Sequence, residues 1–159
     1  MNITQAGSIA ALGCALAMLA SSHAGAEAHG QADTVAMSAS DVVEARRTSY
    51  FLSTQAVGQI KAGYEDGGDL ERAAFAARLL VRWAQLLPSM FPDGTDLEAS
   101  NALPTVWTDR EGFSAAAAAY RDAAQSVADS AASGDREATK EAFFAMAGTC
   151  HSCHRNYRK

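Results

Sequence analysis

Between residues 70 and 87 the apolar positions Leu70, Ala73, Ala76, Leu79, Leu80, Trp83, Leu86 and Leu87 fall three and four apart. That spacing puts them on one side of a helix. Asp69 stands ahead of it as a cap, and Pro88 predicts its end. Upstream, Val42, Val43, Ala45, Ser49, Leu52, Ala56 and Ile60 make a looser stripe from Asp41 to Lys61, with Tyr50 and Phe51 adding aromatic bulk. Ser40 offers that helix an N-cap, and Asp41 and Glu44 lie near its positive end. The three glycines between Gly63 and Asp69 predict a turn. Ser89 to Val106 has no periodicity and holds Pro92, Gly94 and Pro104, so it reads as a long connection.

Thr108 and Glu111 suggest a capping box for an alanine-rich third helix over 109–132, with Phe113, Tyr120 and Val127 facing inward. Ser133-Gly134 closes it, and Asp135 caps a fourth. The stripe of that last helix is Phe143, Met146, Ala147, Cys150, Cys153, His154 and Tyr157. No segment alternates like a strand. The pattern predicts an all-α fold, an antiparallel four-helix bundle over residues 40–159. Abundant alanine suits close helix approach and helix formation.

The N-terminus changes the address. Ile9 to Ala20 is an apolar run followed by Ser21, Ser22 and the small-residue site Ala24-Gly25-Ala26, so residues 1–26 read as a signal peptide. The run is too short for a membrane span. It departs from the usual pattern in having no Lys or Arg before it. Cys14 lies inside the run, with Ala11 where a lipobox carries a larger aliphatic, and is read as part of the apolar region. Residues 27–39 read as a flexible leader. Export places the protein in the periplasm. The net charge of −5 argues against a nucleic-acid partner. One of three cysteines leaves with the signal, so Cys150 and Cys153 are the mature pair.

Those two belong to Cys150-His151-Ser152-Cys153-His154, the c-type haem attachment spacing. Each thiol can add to one haem vinyl group, and on a helix Cys150, Cys153 and His154 share a face. The imidazole of His154 can then stand under the iron. Zinc is disfavoured, because four ligands within five residues cannot converge on a tetrahedral ion. A redox CxxC pair normally follows a strand, and none precedes this one. No acid/base or nucleophile constellation is present, so no enzyme is expected. The cofactor expected is one haem c, covalent through Cys150 and Cys153, placing a haem beside the C-terminal helix of the bundle.

With that motif on its last helix, the chain resembles the cytochrome c′ family. The motif runs on into Arg155-Asn156-Tyr157-Arg158, a CHxxYR ending typical of that family. Further matches are Val43-Glu44-Ala45-Arg46, Phe91-Pro92-x-Gly94-Thr95, and Leu103-Pro104-x-Val106-Trp107-x-Asp109 followed by Phe113. The resemblance spans residues 40–159. It implies that His154 is the proximal ligand, that Arg158 lies by the proximal ring, that Arg46 lies near the haem propionates, and that Tyr50 covers the distal face. Arg47 and Phe51 repeat the Arg46–Tyr50 spacing; the first register runs without a gap through Gly58 and Ile60.

Low-spin relatives place methionine at the Tyr50 position, whereas a protonated phenol is a poor ligand. His29 and Met37 lie in the leader, His151 on the far side of its helix, Met146 on the helix of His154, and Met90 in the connection. A five-coordinate, high-spin iron is therefore expected. The resemblance implies electron transfer with a periplasmic redox partner, or binding of nitric oxide and carbon monoxide at the distal side. It also implies homodimers through the first two helices.

Overall fold

The computed structural model describes residues 37–159; the signal segment and the leader up to residue 36 lie outside the described residues. Four long helices form the bundle: α1 (Ala39–Tyr64), α2 (Leu70–Leu86), α4 (Arg110–Ala132) and α5 (Arg136–Tyr157), with one short turn of helix, α3 (Thr105–Thr108), before α4. No strand occurs among the described residues; one isolated antiparallel bridge joins Ala102 and Arg158. Helix α1 packs on α2, α2 on α4, and α4 on α5, which closes the ring against α1. Among the described residues no helix is long and apolar enough to cross a membrane.

The helix ends follow side-chain chemistry, in places one or two residues from the expected position. Helix α1 begins earlier than expected: Ser38, not Ser40, is its cap, and Ser38 and Asp41 satisfy each other's backbone N–H groups. The last leader residues are thus part of the bundle. Asp69 and Asp135 cap α2 and α5 as expected. Helix α4 is capped by Asp109, which accepts from the Gly112 N–H at 3.1 Å, not by Thr108. Thr108 is occupied as the last residue of α3. Helix α2 ends at Leu86, just ahead of Pro88, as expected. The chain goes on as one 3₁₀ turn, Leu87–Met90, and Pro88 falls in its first turn, where a missing N–H costs nothing.

The stripes also differ in places. Leu52, Leu79 and Leu86 are exposed, while Val43, Ala56, Ile60, Ala73, Ala76, Ala77 and Leu80 are buried. Alanine dominates the interior near the α1–α2 turn. There Gly63 lets α1 approach Ala73 so closely that a Cβ would overlap it. The same end is tied by Arg136, whose guanidinium donates to the Gly63, Glu65 and Gly68 carbonyls. Gly63 lies in the last turn of α1, where carbonyls lack helical partners, and Glu65 and Gly68 lie in the turn that follows, so one side chain ties that turn to the start of α5. Arg136→Met is expected to lower stability by about 1–2 kcal/mol in urea unfolding, with the visible spectrum unchanged.

At the other end the core is aromatic. Phe91 and Phe113 meet edge to face at 5.1 Å, and Phe113 and Tyr157 at 5.3 Å. The Tyr157 hydroxyl donates to Asp109 at 2.7 Å, so the cap of α4 also holds the end of α5. Gly112 leaves room for that bond, because a Cβ there would push both partners aside.

Candidate haem site

Helices α1 and α5 touch least among the four neighbouring pairs, and two cavities border them. The larger, about 350 Å³, is lined by Arg46, Tyr50, Phe91, Phe113, Cys153 and His154 among others. The smaller, about 180 Å³, is lined by Tyr50, Trp83, Tyr120, Cys150, Cys153 and His154 among others. Tyr50, Thr54, Phe113, Cys153 and His154 line both, so the two spaces share a wall. The larger cavity alone has the size of a small-molecule site, roughly 300–1,000 Å³.

Helical spacing brings the attachment residues together. Cys150 and Cys153 are free, half-buried thiols, and burial pushes both above the ordinary thiol range. His154 lines both cavities; burial, then Arg158 and His151, lower its pKa and favour the neutral imidazole that ligates metals. Two half-buried thiols, a neutral imidazole and aromatic walls fit a haem attached along one edge.

Tyr50 stands across from these groups on α1. It is 40% exposed and lines both cavities. Trp83 holds it edge-on at 5.3 Å. Burial among the helices, and then the neighbouring Cys153, push the phenol well above its ordinary range, so it stays protonated.

Arg46 is where the structure adds most. It is 3% exposed and lines the larger cavity, yet its terminal nitrogens are engaged by the connection. They donate to the Met90 carbonyl at 3.1 Å, the Thr95 hydroxyl at 2.8 Å, the Thr95 carbonyl at 2.9 Å and the Ser100 hydroxyl at 3.2 Å. Its guanidinium also covers the Phe91 ring at 4.2 Å. Burial lowers its pKa, opposed by Tyr50. Arg47 is exposed and pairs loosely with Glu44 at 3.5 Å. The two neighbours are therefore not equivalent, and the buried Arg46 precedes Tyr50 by one turn.

Arg158 is exposed and borders the larger cavity. Its segment is stitched to the connection: Leu103 N–H donates to the Tyr157 carbonyl at 3.0 Å, and Lys159 N–H to the Asn101 carbonyl at 2.8 Å. Sequence reasoning missed Thr95 and Ser100 as partners of Arg46, and Thr54 and Tyr120 as cavity residues. The Phe91-Pro92-x-Gly94-Thr95 match held the signal for Thr95.

A helical bundle that carries Cys-x-x-Cys-His on its last helix, against an aromatic-walled cleft, is a c-type haem protein of the bundle class. A sequence model of cytochrome c′ matches residues 41–158. The chain belongs to the cytochrome c′ family, and its cofactor is haem c, joined through Cys150 and Cys153.

The cytochrome c′ of Allochromatium vinosum is 29% identical over 149 residues, covering 89% of this chain and 97% of that protein. That of Rhodospirillum rubrum is 32% identical over 95 residues, covering 59% of this chain and 65% of that protein. Among solved structures, a cytochrome c′ with ligand-controlled dimer dissociation superposes with a TM-score of 0.72 at 27% identity, covering 77% of this chain and 98% of that one. The cytochrome c′ of Thermochromatium tepidum gives 0.70 at 28% identity, with 77% and 97% covered.

Proposed function

We propose that the protein is a non-enzymatic periplasmic electron carrier, exported by the signal at residues 1–26, in which His154 is the one protein ligand to a five-coordinate haem iron. The observation that carries this reading is the composition of the cavity walls. Cys150, Cys153 and His154 converge on them, and among the described residues no methionine and no other histidine lines either. Met146 is buried in the core of the same helix, and Met90 packs beside Phe91 in the aromatic cluster.

When bound, haem supplies a one-electron couple and an iron position open to small ligands. The chain's own residues set the surroundings. The two cysteines fix the edge of the ring, and His154 orients from α5. Phe91, Phe113 and Trp83 exclude water. Arg47 and Arg158 supply positive charge at the rim of the larger cavity, suited to the propionates and to an acidic redox partner.

A second reading, binding of nitric oxide and carbon monoxide, is favoured by Tyr50, which forms part of both cavities and keeps its proton. Association of two copies is supported by Phe75, Leu79 and Leu86, all exposed along one side of α2, and by Phe51 and Leu52 on α1. The similar cytochrome c′ whose dimer dissociates under ligand control adds to that support.

The visible spectrum of the reduced protein tests the first reading. A high-spin, five-coordinate spectrum is expected, and a low-spin six-coordinate one overturns it. Titration with nitric oxide tests the second; an unchanged spectrum at saturating gas refutes it.

A further inference from the structure

His154 sits in the last turn of α5. That is a poor place for a ligand that must hold one direction, because helix ends fray and the last four carbonyls have no partner within the helix. Here three of those four are closed. The His154 carbonyl accepts from the Arg158 N–H at 3.2 Å, the Asn156 carbonyl from the Thr105 hydroxyl at 2.5 Å, and the Tyr157 carbonyl from the Leu103 N–H at 3.0 Å. The Tyr157 hydroxyl adds its bond to Asp109 at 2.7 Å. Three of these four bonds reach α5 from residues 103–109, outside the helix.

The segment that supplies them is itself fixed. The buried Ser100 accepts on its hydroxyl from Arg46 and from the Ala102 N–H, both at 3.2 Å, and on its carbonyl from the Lys159 ammonium at 3.1 Å. Helix α1, the connection and the end of α5 therefore share one set of bonds. Tyr157 lies three residues beyond His154, on the same side of the helix, and both line the larger cavity. Its ring packs edge to face on Phe113, so hydroxyl, ring and carbonyl are each held by a different neighbour.

We propose that the Asp109–Tyr157 bond, with the Leu103 and Thr105 bonds beside it, is a clasp that fixes the direction of the His154 imidazole. Asp109 and Tyr157 are positioning residues, each acting through the last turn of α5. The inference rests on the reading of His154 as the one protein ligand to a five-coordinate iron. It also gives the long connection a task, which is to hold a ligand on α5 from a footing on α1.

The test uses the full haem-loaded protein, reduced. Tyr157→Phe keeps the ring and removes the hydroxyl. Asp109→Ser keeps a cap for α4 but is too short to reach Tyr157. The iron–histidine band in resonance Raman is expected to shift and broaden in both, and the double variant is expected to match either single one, because each removes the same bond. Hydrogen exchange in a peptide covering residues 154–159 is expected to be about ten- to a hundredfold faster, the loss of one bond to a charged group. Arg136→Met, which loosens the opposite end of the bundle, is expected to leave the band in place. Should either clasp variant fail to fold with its haem, Thr105→Val at an exposed position carries the test, with a shift in the same direction expected and an unchanged band refuting the clasp. If the clasp variants keep the wild-type band, or Arg136→Met shifts it as far, the clasp is refuted while the five-coordinate reading stands. If the reduced wild-type protein is six-coordinate and low-spin, that reading fails and this inference with it.

Discussion

Replacing Tyr50 with alanine speeds carbon monoxide association with the reduced protein by about ten- to a hundredfold. The estimate follows from what the ring must do. Tyr50 belongs to the walls of both cavities and is held edge-on by Trp83. A ligand entering there must push aside a large side chain that is 40% exposed and packed on Trp83. Giving up its partial burial costs roughly 1–2 kcal/mol, losing the edge-on aromatic contact adds about 0.5–1.5 kcal/mol, and every 1.36 kcal/mol in a barrier is tenfold in rate. Stopped-flow mixing with carbon monoxide measures it directly. A rate equal to wild type would place the barrier elsewhere, and Phe51 on the next position of α1 would be the candidate. Phe51→Ala is the companion measurement; it should change the rate little, because Phe51 borders only the larger cavity.

Arg46→Met is expected to cost about 3–4 kcal/mol of stability. Methionine keeps the length of the stem but none of the donors. The Met90 and Thr95 carbonyls and the Thr95 and Ser100 hydroxyls lose a charged partner together. Hydrogen bonds to charged groups are worth roughly 1.5–3 kcal/mol each, and their loss at one site is not additive. Arg47→Met is the control, since an exposed side chain in a weak surface pair should stay within about 0.5 kcal/mol of wild type. Urea unfolding followed by far-ultraviolet dichroism distinguishes the two. Equal losses would mean that the connection is held by Trp107 and Arg110, which donate to the Pro92, Phe91 and Pro88 carbonyls.

Much of this was legible in the sequence because it depends on local rules. Three-and-four spacing and aspartate caps placed the four helices, and Cys150-His151-Ser152-Cys153-His154 placed the chemistry on one face of the last. The errors lie where several residues could do the same job. Ser38 and Ser40 both suit an N-cap, and the choice depends on which reaches Asp41 in a reciprocal pair. Leu79 and Leu86 fit the helical stripe of α2, yet alanines fill the close approach and leave those leucines outside.

Arg46 shows a different limit. Spacing could put it one turn before Tyr50, but its partners Thr95 and Ser100 are 49 and 54 residues away, in a segment without periodicity. No pattern reports a contact of that kind. Tyr120 was read as an inward-facing core residue, which is correct as far as it goes. Only the placement of α4 against α1 and α5 shows that it also lines a space beside the attachment residues.

The close approach of Gly63 to Ala73 and the packed rings of Phe91, Phe113 and Tyr157 give the two ends of the bundle different tolerances. A methyl group added at Gly63 meets the Ala73 side chain and the Asp69 carbonyl, so α1 and α2 would have to part to admit it. The aromatic end has ring contacts that another ring can replace. A scaffold reshaped for a bulkier tetrapyrrole is therefore best redesigned at the aromatic end, with Gly63 and Ala73 left as they are.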